Sequence, residues 1–438
     1  MTETRMPRTL LGALILGLAL VHPANAQTVP PTATTTPAAG AAAATATSAA
    51  DAALMALADD YFDHFYFPAN PTAATYAGVH RYDAQLEDYS RAEVQRQIAR
   101  LREYRQRFAA IDPLGLSERV RGDRELLLSN IDSTLLELTT IRPWQKNPDS
   151  YSSGITGSAY GIMEREYAPP AERLRLLIAR EEAMPAALAA ARANLRNPPR
   201  IFTQIAIEQL PGDVSIFEHD LPSAFASVSD PRLQSRFQRA NATVIAALRR
   251  YQRWLQTDLL PRSHGEFRLG AQTFRAKLAA DEMVDTPLDQ LLAIGLQDLR
   301  RNQAEFARVA KQLEPDKSPR QVLAELATDH PPPDKLIDEF HATFDGLVQF
   351  IRSHHIITIP DGAGQPILRE TPPFMRATTF ASMDTPGPFE TVAKEAYFNV
   401  TLPDPSWDAK HTALLWERGT YSSMYSYNME VVGIISDL

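Results

Sequence analysis

The sequence predicts a mainly α-helical fold with one small β-element, and three observations carry that expectation. Helix-start signals recur along the chain from about Asp51 onward. Short β-branched and aromatic runs bounded by Pro and Gly gather between His354 and Leu402. No cysteine occurs in 438 residues, so stability must come from a large apolar core rather than from disulfides. A composition of 44% hydrophobic and 22% charged residues supplies one.

At the amino terminus, Arg5 and Arg8 precede the apolar run Leu10 to Val21, and Ala24-Asn25-Ala26 follows. This layout predicts a signal peptide over residues 1–26, with the mature chain starting at Gln27. About twelve apolar residues fall short of the roughly twenty that a hydrocarbon core requires, so no membrane anchor is expected after cleavage. The expected location is periplasmic or secreted. Residues 27–50 hold Pro30, Pro31, Thr32 to Thr36 and Pro37, then Ala and Gly, without a periodic apolar face. They read as a disordered Pro/Thr/Ala linker. Residues 51–438 read as a single helical domain.

Within it, Ser90-Arg91-Ala92-Glu93 is a capping box that opens a helix through about Phe108. Pro169-Pro170 starts another helix, in which Pro185 predicts a kink or break. Asp230-Pro231 starts one running towards Leu259. Thr286-Pro287-Leu288-Asp289 places a cap, a first-position proline and an acid ahead of Leu291, Leu292, Ile294 and Leu299. Ser318-Pro319-Arg320-Gln321 repeats the box. The β-element, around residues 354–402, is expected from Ile356 to Ile359, Arg376 to Phe380 and Ala396 to Leu402.

The formal net charge of -9 argues against a nucleic-acid or anionic-membrane partner. None of the ten histidines stands in a His-Glu-x-x-His pattern. Glu218-His219-Asp220 and the His341/Asp345 pair read as solvated surface, and His354-His355 as a helix end. Gly154 to Gly161 matches neither a nucleophile elbow nor a phosphate loop and reads as a connector. Asn241-Ala242-Thr243 and Asn399-Val400-Thr401 are chance-level glycosylation sequons. Residues Met429 to Asp437 form an apolar segment with no helix-closing glycine, so a core element is expected to be incomplete there. No catalytic, cofactor-binding or metal residue is assigned, and no cofactor is expected in this chain.

Several phrases resemble a bacterial family known as domain of unknown function 885. They include Pro71 to Gly78, Asn147 to Tyr151, Asn197 to Thr203 and Leu269 to Leu278. Glu370-Thr371-Pro372-Pro373-Phe374-Met375-Arg376 and Ala381 to Phe389 follow in family order. The resemblance implies a zinc-peptidase-like helical body, exported or lipid-anchored, acting on peptides. It also implies a His-Glu-x-x-Pro-Gly-His motif after the segment matching Met429 to Asp437, so zinc is expected only for a full-length member. Upstream residues such as Arg376 and Tyr160 are open to substrate contact, but no motif assigns them that role. The two expected functions are an exported zinc peptidase without its metal motif and a non-catalytic extracytoplasmic helical binding protein.

Overall fold

Ser48 opens the folded body: its Oγ accepts a hydrogen bond from the Asp51 backbone N–H at 3.0 Å. Helix α1 follows over Ala49–Tyr61, so its first residues fall within the stretch expected to be linker. The protein is described as a computed structural model over residues 48–326, 332–359, 366–376, 379 and 381–403. The expected signal peptide, nearly all of the linker and Met429 to Asp437 lie outside the described residues.

The described chain is mainly helical with one three-stranded sheet. Helices α2 (Pro71–Tyr76), α3 (Arg91–Ala109) and α4 (Glu118–Leu136) enclose one core with α1. Its centre is Leu54, Phe62, Tyr104, Phe108, Leu127 and Ile131. Ser90 caps α3 as expected, with Glu93 N–H donating to its Oγ, while Asp88 takes the Ser90 N–H that a capping box would give Glu93.

A second core joins α5 (Asp149–Glu164), α6 (Pro170–Asn194), α7 (Arg200–Ser215) and α8 (Pro231–Trp254). Two expectations fail here. The glycine-rich stretch from Gly154 to Gly161 is not a connector but part of α5. Two of its glycines allow close packing: a Cβ on Gly154 would sit 2.6 Å from the Tyr89 hydroxyl and one on Gly161 3.1 Å from the Tyr76 ring. Nor does Pro185 break α6, which continues nine residues beyond it. Met184, Ala187, Leu188 and Ala191 stay buried across the proline, and this packing offsets the lost backbone hydrogen bond.

Helix α9 (Ala271–Asp281) packs on α4, and α10 (Leu288–Leu313) leads to α11 (Pro319–Leu326). Pro287, not Thr286, occupies the cap position of α10. The Ser318 box forms, with Ser318 N–H donating to Gln321 Oε1 at 2.9 Å.

Helix α12 (Leu336–Ser353) precedes strands β1 (Ile367–Glu370), β2 (Ala381–Asp384) and β3 (Tyr397–Val400). Their order is β1-β3-β2, with β1 parallel and β2 antiparallel to β3. Only β3 falls where a strand was expected. Ile356 to Ile359 is not a strand, because the Ile356 N–H closes the end of α12 by donating to Ile351 O at 3.2 Å. His355, at φ 51°, makes the left-handed turn that this cap requires. Arg376 ends a short 3-10 turn, and most of the stretch from 377 to 380 lies outside the described residues.

The register gives the sheet two different faces. Leu368, Phe398 and Met383 align on one, where Phe398 packs on Phe340 and Phe344 of α12. Arg369, Asn399 and Ser382 align on the other.

Candidate functional site

The polar face of the sheet meets the end of α5. Arg369 lies at the centre: its Nη2 donates to Glu164 and to Asp384 Oδ2 (3.0 Å), and its Nε to Asn399 Oδ1 (2.6 Å). Asn399 Nδ2 then donates to Asp384 Oδ2 at 2.7 Å and Ser382 Oγ at 2.9 Å. The Arg369 guanidinium lies 3.9 Å from the centre of the Tyr397 ring, a cation–π distance. Tyr160, one turn before Glu164 on α5, borders the same group and packs against Phe374. Arg165 ties the strand ends down, donating to Thr385 O at 2.7 Å and Glu395 O at 3.1 Å.

Burial differs sharply across this network. The Glu164 side chain is 1% exposed, whereas Arg369 and Asp384 each keep 25%. Glu164 Oε2 has no hydrogen-bond partner among the described residues. Burial first, and the neighbouring Asp384 charge second, raise the Glu164 pKa despite Arg369. Burial works against the Arg369 cation, but Glu164 and Tyr160 outweigh it and hold the guanidinium charged. Burial and Glu164 push the Tyr160 phenol up, so it stays protonated as a donor. Two carboxylates and two arginines balance, giving a fixed polar seam with one half-open side. A seam of this kind orients the sheet and offers charged hydrogen-bonding groups at its margin.

A second constellation fastens the loop between β2 and β3 to the helical body. His80 Nδ1 contacts Asp83 Oδ2 and its Nε2 contacts Glu390 Oε2, each at 2.9 Å. The His80 ring stacks on Tyr167 at 3.6 Å. Thr75 donates to Asp83 Oδ1 at 2.5 Å and accepts from Arg180 Nη2 at 2.6 Å. Arg180, fully buried on α6, also donates to Ser158 O and Pro71 O. The backbones touch as well: Phe389 N–H donates to Ala77 O, and a Cβ on Gly387 would sit 2.2 Å from Tyr76 O.

Other residues singled out in the sequence stay apart from both. Arg376 Nε donates to Thr371 O at 2.9 Å and its Nη2 lies 3.4 Å from Glu370, beyond the end of β1. Glu218 pairs with Arg249, while His219 and His341 are exposed. His354 Nδ1 contacts Phe350 O at the end of α12. Both sequon asparagines are buried, with Asn241 Nδ2 donating to Phe217 O and Asn399 inside the seam, which leaves neither accessible for glycosylation. No group of three or more His, Asp or Glu among the described residues is placed to hold a metal, so these residues do not fit a zinc centre. No helix among them is long and apolar enough to cross a membrane.

Glu164, Arg369, Asp384 and Asn399 were not singled out from the sequence for this role, because more than 200 residues separate Glu164 from Arg369. A signal did exist, since Asp384 and Glu370, the residue after Arg369, fall within phrases that carry the family resemblance. Gly387 to Phe389, in the same phrase as Asp384, meets Tyr76 to Gly78 of a further phrase in space.

The profile of a bacterial family of proteins of unknown function, DUF885, matches residues 71–421. The chain belongs to this family. No curated protein matches it. Among solved structures, this DUF885 chain is similar to a candidate lipoprotein of unknown function from Shewanella oneidensis, with TM-score 0.64 and 24% identity. That match covers 83% of this chain and 67% of the other. A candidate lipoprotein from Colwellia psychrerythraea matches with TM-score 0.63 and 14% identity, over 80% of this chain and 68% of the other. At these identities the likeness shows the fold alone.

Proposed function

We propose that this chain is the substrate-side body of an extracytoplasmic peptidase of the DUF885 family, and that it binds extended peptide along strand β1. The observation that carries the reading is an edge strand anchored by Arg369 to a buried acid on the helical body. Ile367 and Thr371 N–H groups donate inward, to Ala396 O and Val400 O at 2.8 and 2.9 Å. Strand alternation therefore turns the Glu370 N–H towards the outer edge, where a peptide backbone adds by hydrogen bonding. The partly open Arg369 side chain, on β1 itself, provides charge recognition beside it. An export signal expected over residues 1–26 and neighbours described as candidate lipoproteins support the extracytoplasmic location. The described residues supply no zinc site, so the reading is confined to binding.

The test is fluorescence anisotropy of labelled, unstructured peptides against the purified chain, together with Glu370→Pro and Arg369→Met variants. Saturable binding that backbone N-methylation of the peptide abolishes, and that Glu370→Pro weakens at least tenfold, is expected. Absence of saturable binding, or indifference to both changes, overturns the reading and favours a helical binding protein for other ligands.

A further inference from the structure

Helix α10 is 26 residues long, about 39 Å at 1.5 Å per residue, and Ala310 is its one buried residue. Leu292, Leu299, Phe306 and Leu313 recur every seven residues, with exposures of 62%, 50%, 44% and 58%. Leu296 and Val309 widen the stripe and are exposed as well. A seven-residue apolar repeat is the pattern of a helix that packs lengthwise against another segment. An exposed patch of this extent is uncommon on a finished surface. A helix with so little tertiary contact gains little beyond its own marginal propensity.

We propose that this stripe is the docking face for the chain's own residues 404–438. Those 35 residues lie outside the described structure, and their sequence is rich in apolar side chains. Leu414, Leu415 and Trp416 stand together, as do Val431, Val432, Ile434 and Ile435. The charges are complementary. Asp404, Asp408, Glu417, Glu430 and Asp437 outnumber Lys410 and Arg418, while the second half of α10 carries Arg301, Arg308 and Lys311 against Glu305. A connected stretch of 35 residues is also long enough to run the whole of α10 and meets it without the entropy cost of a second molecule.

The chain has no cysteine, so one introduced thiol reports its own environment. Leu299→Cys on the stripe and Gln297→Cys on the opposite side are labelled with a maleimide in the full 438-residue chain. The stripe thiol is expected to react at least tenfold more slowly, at a ratio independent of protein concentration. Replacing Leu414, Leu415 and Trp416 by Ser, or Val431, Val432, Ile434 and Ile435 by Ser, is expected to restore fast labelling in at least one variant. Circular dichroism confirms that each variant is folded. Equal rates for the two thiols in the parent chain overturn the proposal. So does protection that grows with concentration, which identifies a second copy as the occupant, or protection that survives both tail variants.

Discussion

Helices α6 and α10 are nearly equal in length and opposite in fate. Over Pro170–Asn194, α6 lacks a clean apolar stripe, yet it buries Leu174, Leu177, Ile178 and Met184, and with them Arg180 and Glu181. Over Leu288–Leu313, α10 has a regular stripe and buries only Ala310 among the described residues. Amphipathic spacing states which side of a helix favours contact. It does not state whether the partner is nearby. Helix α6 has neighbours on several sides, so Arg180 and Glu181 are enclosed. Arg180 is met by Thr75 and Ser158 O, whereas both Glu181 oxygens lack a partner among the described residues and burial raises its pKa well above the ordinary value.

The largest expected effect comes from removing that compensation in α6. Arg180→Ala leaves Asp83 buried beside the emptied site, and it is expected to lower unfolding free energy by about 3–5 kcal/mol in urea titrations. A loss under about 1 kcal/mol would show that α6 does not depend on its buried charge.

Next is the carboxyl that the same core holds on α7. Asp213 is fully buried, and both its oxygens lack a donor, because Thr156 gives its hydroxyl to Ser152 O and Ser152 gives its own to Asp149 O. Burial, then the Asp149 charge, push it up to about 8. The folded state therefore holds a proton that the unfolded state releases above the ordinary value of 3.8, and stability falls as pH rises from about 4 towards 8. At about 1.4 kcal/mol per pKa unit, Asp213→Asn should gain on the order of 3 kcal/mol over the parent between pH 5.5 and 8. Parallel pH profiles for the two proteins would contradict this.

Leucine truncation compares the two helices directly. Leu177→Ala in the α6 core should cost about 2–5 kcal/mol. Leu299→Ala on α10 should cost less, about 1–2 kcal/mol if residues 404–438 cover it. A cost within about 0.5 kcal/mol would mean that the stripe stays open, as for an ordinary surface site.

The smallest effect belongs to the clasp that Arg180 supports. Burial opposes a charged His80, but its hydrogen bonds to Asp83 and Glu390 raise its pKa above 6.5. The stabilisation is complete below pH 6.5 and is lost as pH rises through the folded value. His80→Gln should destabilise the protein more at pH 6 than at pH 9, read from paired thermal melts. A constant difference across that range would assign His80 a packing role only.

The sequence by itself determined the helical class, the starts of α3, α6, α8 and α11, and the position of β3. Each depends on local chemistry: a capping hydroxyl or carboxylate, a proline in the first turn, a β-branched run. Family membership was legible too, through phrases spread along the chain. Tertiary structure alone decided that the glycine-rich stretch is a helix, since only close neighbours such as Tyr89 and Tyr76 explain Gly154 and Gly161. It also decided that Pro185 is spanned, that Ile356 caps α12 rather than starting a strand, and that Glu164, Arg369, Asp384 and Asn399 form one seam. The reason is range. Caps and turns are settled within four residues, whereas burial, pKa and ion pairing depend on groups that only folding brings together.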